Sequence, residues 1–170
     1  NFKMPYSLIL SVPITYPDKP AADTYAEMEI SDSATASGTW YGVFVARDGT
    51  ADYRFNGKLS VSGGKLTVGA NQDSTSPARN GLGIGYNAQQ NGYSGTYARG
   101  TVELSGGTIE TSGRTFFTVG YGNASGELVQ TGGTFKYDAS TVSYNARVGY
   151  YGGIGRYAFS GDGSADITAK

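Results

Sequence analysis

One eight-residue string returns along this chain with its chemistry intact, and that recurrence limits the fold more than any other feature. It reads Leu59-Ser-Val-Ser-Gly-Gly-Lys-Leu66, then Val102-Glu-Leu-Ser-Gly-Gly-Thr-Ile109, then Leu128-Val-Gln-Thr-Gly-Gly-Thr-Phe135, with a degenerate copy at Tyr157-Ala-Phe-Ser-Gly-Asp-Gly-Ser164. A second string alternates with it: Ile84-Gly85-Tyr86, Val119-Gly120-Tyr121 and Val148-Gly149-Tyr150. Gly106 to Gly132 is 26 residues and Gly132 to Gly161 is 29. A period of this length, with two short strands and two glycine corners, describes one coil of a stacked β-structure. A single coil cannot bury its apolar side alone, whereas stacked coils bury it at about 4.8 Å per rung. Equivalent residues then lie over one another. Leu66, Ile109 and Phe135 are expected to form one inward ladder, and Ile84, Val119 and Val148 another, each buried side chain contributing roughly 1.5–3 kcal/mol before entropy is subtracted. Antiparallel hairpins with Gly-Gly turns would also use the glycines, but they do not require the same side-chain string at every turn. The expected fold is therefore all-β, a parallel β-solenoid (β-helix) with about 25–30 residues per coil.

Gly63 to Gly106 is 43 residues, so that unit carries insertions. Gly64 to Gly85 takes 21 residues against 13 and 16 in the next two units, and Gly85 to Gly106 takes 21 against 12. The extra residues lie around 71–80 and 88–99 and read as loops leaving one rung.

Composition narrows the class. Glycine accounts for 27 of 170 residues, yet 14 Tyr and 7 Phe accompany it, which a solvated linker would lack. Formal net charge is −1. That leaves no footprint for nucleic acid and little protection from self-association. Cysteine is absent, so disulfides and thiolate metal sites are excluded. No run of 18 apolar residues spans a membrane, so no membrane insertion is expected. Phe2 to Ile14 is apolar, but Pro5 and Pro13 interrupt it and it lacks a basic leader, so it reads as mature chain rather than a signal peptide.

Within that segment Phe2, Met4, Tyr6, Leu8, Leu10, Val12, Ile14 and Tyr16 alternate with period two, the pattern of one long strand with one buried face. A Pro/Asp/Ala linker follows at 17–23. The chain then divides into an extended strand and linker at 1–24 and a solenoid domain at 25–170. The strand either caps its own first coil or pairs with a neighbouring molecule by strand addition.

The segments TVGYGNASGELVQTGGTF and ARVGYYGGIGRYAFSG resemble the Gly-Gly β-strand repeats of autotransporter-type passenger domains and of very large bacterial surface proteins. The likeness covers roughly 57–167. It implies export to the cell surface or beyond, and a role in adhesion, matrix or surface coating.

The lack of histidine excludes Ser-His-Asp, Cys-His and His-metal sites. Glu103, Glu110 and Glu127 lie one per strand without an evident cluster, so no enzyme and no cofactor are expected. Asp48-Gly-Thr-Ala-Asp52 and Asp162-Gly-Ser-Ala-Asp166 share a D-G-[ST]-A-D pattern. Two carboxylates bracketing a turn could hold calcium, or the two segments are equivalent tight turns with Asx bonding. Tyr86, Tyr121 and Tyr150 should stack one per rung. They would either stiffen the rung edges or hold sugar rings, with Tyr93, Tyr97 and Arg99 of the second insertion adding to a polysaccharide site. The Gly-rich strings open no helix and suggest no nucleotide site. Asn123-Ala-Ser125 is a glycosylation sequon. The leading expectation is a structural subunit of a filament, coat or adhesin stalk that pairs with itself end to end; a polysaccharide-binding module is the alternative, and a carbohydrate-active β-helix enzyme a third.

Overall fold

A computed structural model describes residues 2–4, 8–10, 24–38, 42–47, 55–69, 81–87, 98–112, 116–139 and 146–169. These residues form sixteen strands and no helix. The first coil holds β1 (Phe2–Met4), β2 (Leu8–Leu10) and β3 (Thr24–Ile30), and the second β4 (Thr35–Gly38), β5 (Val43–Arg47) and β6 (Phe55–Val61). The third holds β7 (Lys65–Gly69), β8 (Gly81–Tyr86) and β9 (Ala98–Leu104), and the fourth β10 (Thr108–Ser112), β11 (Phe116–Tyr121) and β12 (Ser125–Gln130). The fifth holds β13 (Thr134–Ala139), β14 (Ala146–Tyr150) and β15 (Ile154–Phe159), and β16 (Ser164–Ala169) opens a sixth. Every pairing is parallel. Three sheets result: sheet A in the order β1-β4-β7-β10-β13-β16, sheet B in the order β14-β11-β8-β5-β2 and sheet C in the order β15-β12-β9-β6-β3. The chain visits A, B and C in turn, which is a parallel β-solenoid.

Each coil has three strands where the repeat suggested two. The Gly-Gly string bends in its middle: Leu59 and Val61 end β6 in sheet C, the chain turns at Gly63-Gly64, and Leu66 lies in β7 of sheet A. This C-to-A corner takes three residues in the second, third and fourth coils and four in the fifth, and its hydrogen bonds continue the ladder around the bend. Ser105, Thr131 and Ser160 donate their amides to the carbonyls of Val61, Leu104 and Gln130 one coil back, at 2.8–2.9 Å.

The N-terminal segment also departs from the single long strand. Phe2–Met4 pairs with β4 in sheet A and Leu8–Leu10 pairs with β5 in sheet B, so the two pieces are successive sides of the first coil. Period-two alternation does not reveal a corner when inward positions stay in phase across it. Pro5, which cannot donate to a ladder, stands in the gap. Leu10 is buried and Leu8 half-buried against the chain's own core.

The inward ladders follow the expected register. Ile109 pairs with Leu66 and Phe135, and Ala36 extends the column below Leu66. Val119 pairs with Ile84 and Val148, and Val45 and Leu10 continue below Ile84. A third column, Met28, Leu59, Val102, Leu128 and Tyr157, comes from sheet C. Together they form one continuous apolar core from Leu10 to Tyr137.

The glycines of the two strings meet each other. Gly85, Gly120 and Gly149 sit in sheet B with φ of 61°, 73° and 68°, a left-handed conformation that favours glycine. Gly57, Gly100, Gly126 and Gly155 share one column of sheet C. A methyl group on Gly100, Gly126 or Gly155 would fall within 3.0 Å of the carbonyl oxygens of Val45, Ile84 and Val119 respectively, each one coil earlier. A methyl on Gly85 or Gly120 would strike the carbonyls of Ser125 and Ile154, each one coil later. The B and C backbones thus pack directly on each other, with no side chain between them.

Gln130 interrupts an otherwise apolar column of Ile30, Val61, Leu104 and Phe159. It is fully buried, and its amide is satisfied. Nε2 donates to the carbonyls of Ser164 (2.9 Å) and Gly133 (3.3 Å), and Oε1 accepts from the Tyr157 hydroxyl at 2.6 Å. The side chain ties β12 to the start of β16 across the core.

Three outcomes follow for stability. Phe135→Ala should cost about 3–5 kcal/mol in denaturant unfolding, since the ring is wholly buried. Gly126→Ala should cost on the order of 2 kcal/mol or more through overpacking against backbone that has no rotamer to yield. Burial pushes the Tyr137 hydroxyl up to about 12. A phenol whose folded pKa lies above its unfolded value of about 10 contributes stability that is intact below pH 10 and lost as pH rises from about 10 to 12. Unfolding midpoints measured across that window should fall, and Tyr137→Phe should flatten the fall; an unchanged slope would show that another group controls it.

Candidate functional site

A solenoid carries function on its outer faces and at its ends, and the sites expected from sequence sort by face. Sheet B carries an aromatic stack. Tyr121 pairs with Tyr86 and Tyr150, so the three tyrosines occupy one column as expected. The Tyr86 and Tyr121 rings lie 4.7 Å apart at 10°, and the Tyr121 and Tyr150 rings 5.8 Å apart at 34°. Phe44 and Phe116 widen the stack, at 5.2 and 5.3 Å from Tyr86. Gly83 leaves the space that the Phe44 ring fills: a Cβ there would lie 2.8 Å from Phe44 Cδ1. Arginines close both ends, with the Arg47 guanidinium 4.6 Å from the Phe44 centroid and that of Arg147 4.0 Å from the Tyr150 centroid.

A sugar ring needs an open aromatic face. Tyr86 is buried, and the faces within the column lie against one another. At the last coil Tyr150, with Arg147 over its ring, and Tyr151 are 41% and 59% exposed. Tyr151 holds a positive φ of 58° in the turn after β14, and its ring stacks on Tyr121 at 5.9 Å. The geometry of Tyr86 and Tyr121 is that of a stiffening ladder.

Sheet C carries the charge. Glu27, Lys58, Thr101, Glu127 and Arg156 form one outer column, and Glu103 lies in the next. Lys58 bridges Glu103 (3.0 Å) and Glu27 (3.6 Å), and Arg156 pairs with Glu127. The hydrogen bond to Glu103, reinforced by the charges of Glu103 and Glu27, raises the Lys58 pKa above its ordinary value. The Tyr25 hydroxyl donates to Glu27 at 3.0 Å, which raises its own pKa. On sheet A, Glu110 pairs with Lys65 at 2.5 Å. Glu103, Glu110 and Glu127 are thus each engaged by a cation between rungs, and Glu110 sits on a different sheet from the other two.

The remaining candidates do not converge. Asp48 and Asp52 fall outside the described residues, whereas Asp162 lies in the turn after β15 and Asp166 within β16. Asp162 and Asp166 are exposed, and Asp166 accepts a 3.4 Å bond from Thr168. Among the described residues no group of three acidic, His or Cys side chains could hold a metal ion. Tyr6, Val12, Ile14, Tyr16, Tyr93 and Tyr97 lie outside the described residues. Arg99, expected in the second inserted loop, is instead an exposed residue of β9, because the strand starts at Ala98.

The exposed apolar side chains gather on the last described rungs. Seven large hydrophobics are exposed among the described residues, and six of them, Val148, Tyr150, Tyr151, Ile154, Phe159 and Ile167, belong to the last coil and β16. Val148 and Phe159 are the final members of columns that are fully buried farther down. The degenerate fourth copy of the Gly-Gly string keeps Tyr157 and Phe159 in the inward columns of sheet C.

Tyr121→Leu should destabilise the fold by about 1–2 kcal/mol by removing stacked contacts on both sides of one ring. Tyr25→Phe should be nearly neutral, since it loses one exposed bond; denaturant midpoints of the two variants distinguish ladder from surface. No family model, no curated protein and no solved structure matches this chain.

Proposed function

We propose that this chain is a structural unit of an extracellular or cell-surface assembly, joining to other molecules through the ends of its solenoid. The stacked architecture carries the reading: three parallel sheets rise coil on coil around one continuous core, a scaffold that gains length rung by rung. On its last described rungs Val148, Phe159 and Ile167 are 48%, 52% and 42% exposed, in columns that are buried on earlier rungs. Among the described residues β14, β15 and β16 are the last strands of their sheets, and an edge strand is the usual template for strand addition. Near-neutral charge places little repulsion between copies. The resemblance to Gly-Gly surface repeats supports placement outside the cell. The pairing of Glu103, Glu110 and Glu127 with cations favours a structural role over a catalytic one, and the mutual stacking of the tyrosines gives the polysaccharide reading no open platform along the column.

The purified protein is expected to associate with rising concentration, read by light scattering and electron microscopy. Val148→Lys together with Ile167→Lys should weaken association by at least about tenfold while leaving the β-rich circular dichroism spectrum in place. A wild-type chain that stays monomeric at high concentration would remove this function.

A further inference from the structure

We propose that Tyr121 and Tyr151 form a site of oxidative coupling, joined by a carbon–carbon bond between their rings when hydrogen peroxide, acting through a haem peroxidase, withdraws electrons from them. This coupling does not depend on the assembly proposed above. A strained backbone points to it. Tyr151 holds a φ of 58°, a left-handed conformation that a bulky side chain rarely adopts. One coil earlier, Gly122 follows the register partner of Tyr150 and takes the same conformation at 64°. Glycine meets that turn without steric cost, and a tyrosine does not. Residues held in such conformations gather where a side chain must be aimed. Here the ring is folded back onto Tyr121, 5.9 Å away and within 17° of parallel. Tyr150 adds a third ring, 5.8 Å from Tyr121 and 6.0 Å from Tyr151.

Each phenol gives up one electron and one proton, leaving a pair of phenoxyl radicals. Their unpaired spin is shared by the ring carbons beside the hydroxyl. One such carbon from each ring forms the new bond, and the hydrogens they carried move to the oxygens as the rings regain aromaticity. The pair has then lost two hydrogen atoms, which convert one hydrogen peroxide to two waters. Geometry selects the pair, because the new bond joins ring edges rather than faces. Tyr86 and Tyr121 are register partners on strands about 4.8 Å apart, and their rings lie face to face at 4.7 Å and 10°. Tyr150 starts from the same close spacing to Tyr121. Tyr151 starts one residue beyond the register partner, so its ring is free to slide until its edge meets that of Tyr121, while Tyr86 backs the Tyr121 ring from the other side.

The test treats the full chain at high dilution with hydrogen peroxide and a haem peroxidase, reads dityrosine fluorescence and maps the tryptic peptides. Cleavage after Arg114, Lys136, Arg147 and Arg156 separates residues 115–136, which carry Tyr121, from 148–156, which carry Tyr151. The expected product is 115–136 joined to 148–156, lighter by two hydrogens than its parts, from a monomeric chain. A link closing the 30 residues from Tyr121 to Tyr151 should also raise the denaturant midpoint of the oxidised protein, as cross-links between distant residues do. Tyr151→Phe keeps the ring and loses the phenol, so it should abolish both the link and the rise, whereas Tyr150→Phe should leave both. A link that survives Tyr151→Phe would assign the coupling to Tyr150, and a link within 148–156 would assign it to the adjacent pair. Dimers joined through Tyr25, the most exposed tyrosine among the described residues at 63%, would show that exposure rather than ring contact directs the oxidation. Any of these results, or no dityrosine at all, overturns the proposal.

Discussion

The cross-section of this molecule rests on a contact between two backbones. Sheets B and C meet along two columns of glycine, each closing on a carbonyl of the neighbouring coil. Because no side chain fits there, the corner is narrow, and the apolar side chains of A, B and C all point into one shared core. The contact also explains why the repeat has two alternating strings. The sheet B string carries its glycine at the left-handed position, and the sheet C string carries its own six residues later, Gly120 with Gly126 and Gly149 with Gly155. Where the segment between these two is longer, as between Gly85 and Gly100, the two glycines still meet. The columns, rather than the connecting lengths, therefore set the stacking.

The ladders were legible because parallel stacking places identical chemistry on adjacent rungs. Leu66, Ile109 and Phe135, and Ile84, Val119 and Val148, could be aligned from the strings alone. The number of sides was not legible. A Gly-Gly pair marks a bend without saying how the flanking segments divide, and period-two alternation through Phe2 to Leu10 hides the corner between β1 and β2. Arg99 was assigned to a loop by subtracting lengths, which locates an insertion only to within a few residues of the strand that follows it. Gln130 looked like a defect in an apolar position; its partners, Ser164 and Tyr157, lie 34 and 27 residues ahead and become visible only in three dimensions.

The outer faces obey the same one-rung rule with different chemistry. On sheet C a column of like charges would repel at every step, and the observed order places Lys58 after Glu27 and Arg156 after Glu127. On sheet B the column is aromatic and the repetition is favourable, since rings on adjacent rungs stack. On sheet A, Thr108 and Thr134 lie in one row with Lys65 and Ser164, and Ser164 donates to Thr134 at 3.2 Å.

The two ends of such a stack cannot be alike. A sheet C glycine leans on the coil before it, and a sheet B glycine is leaned on by the coil after it. Each coil therefore has a giving side and a receiving side, and the direction is fixed by backbone geometry before any side chain is considered.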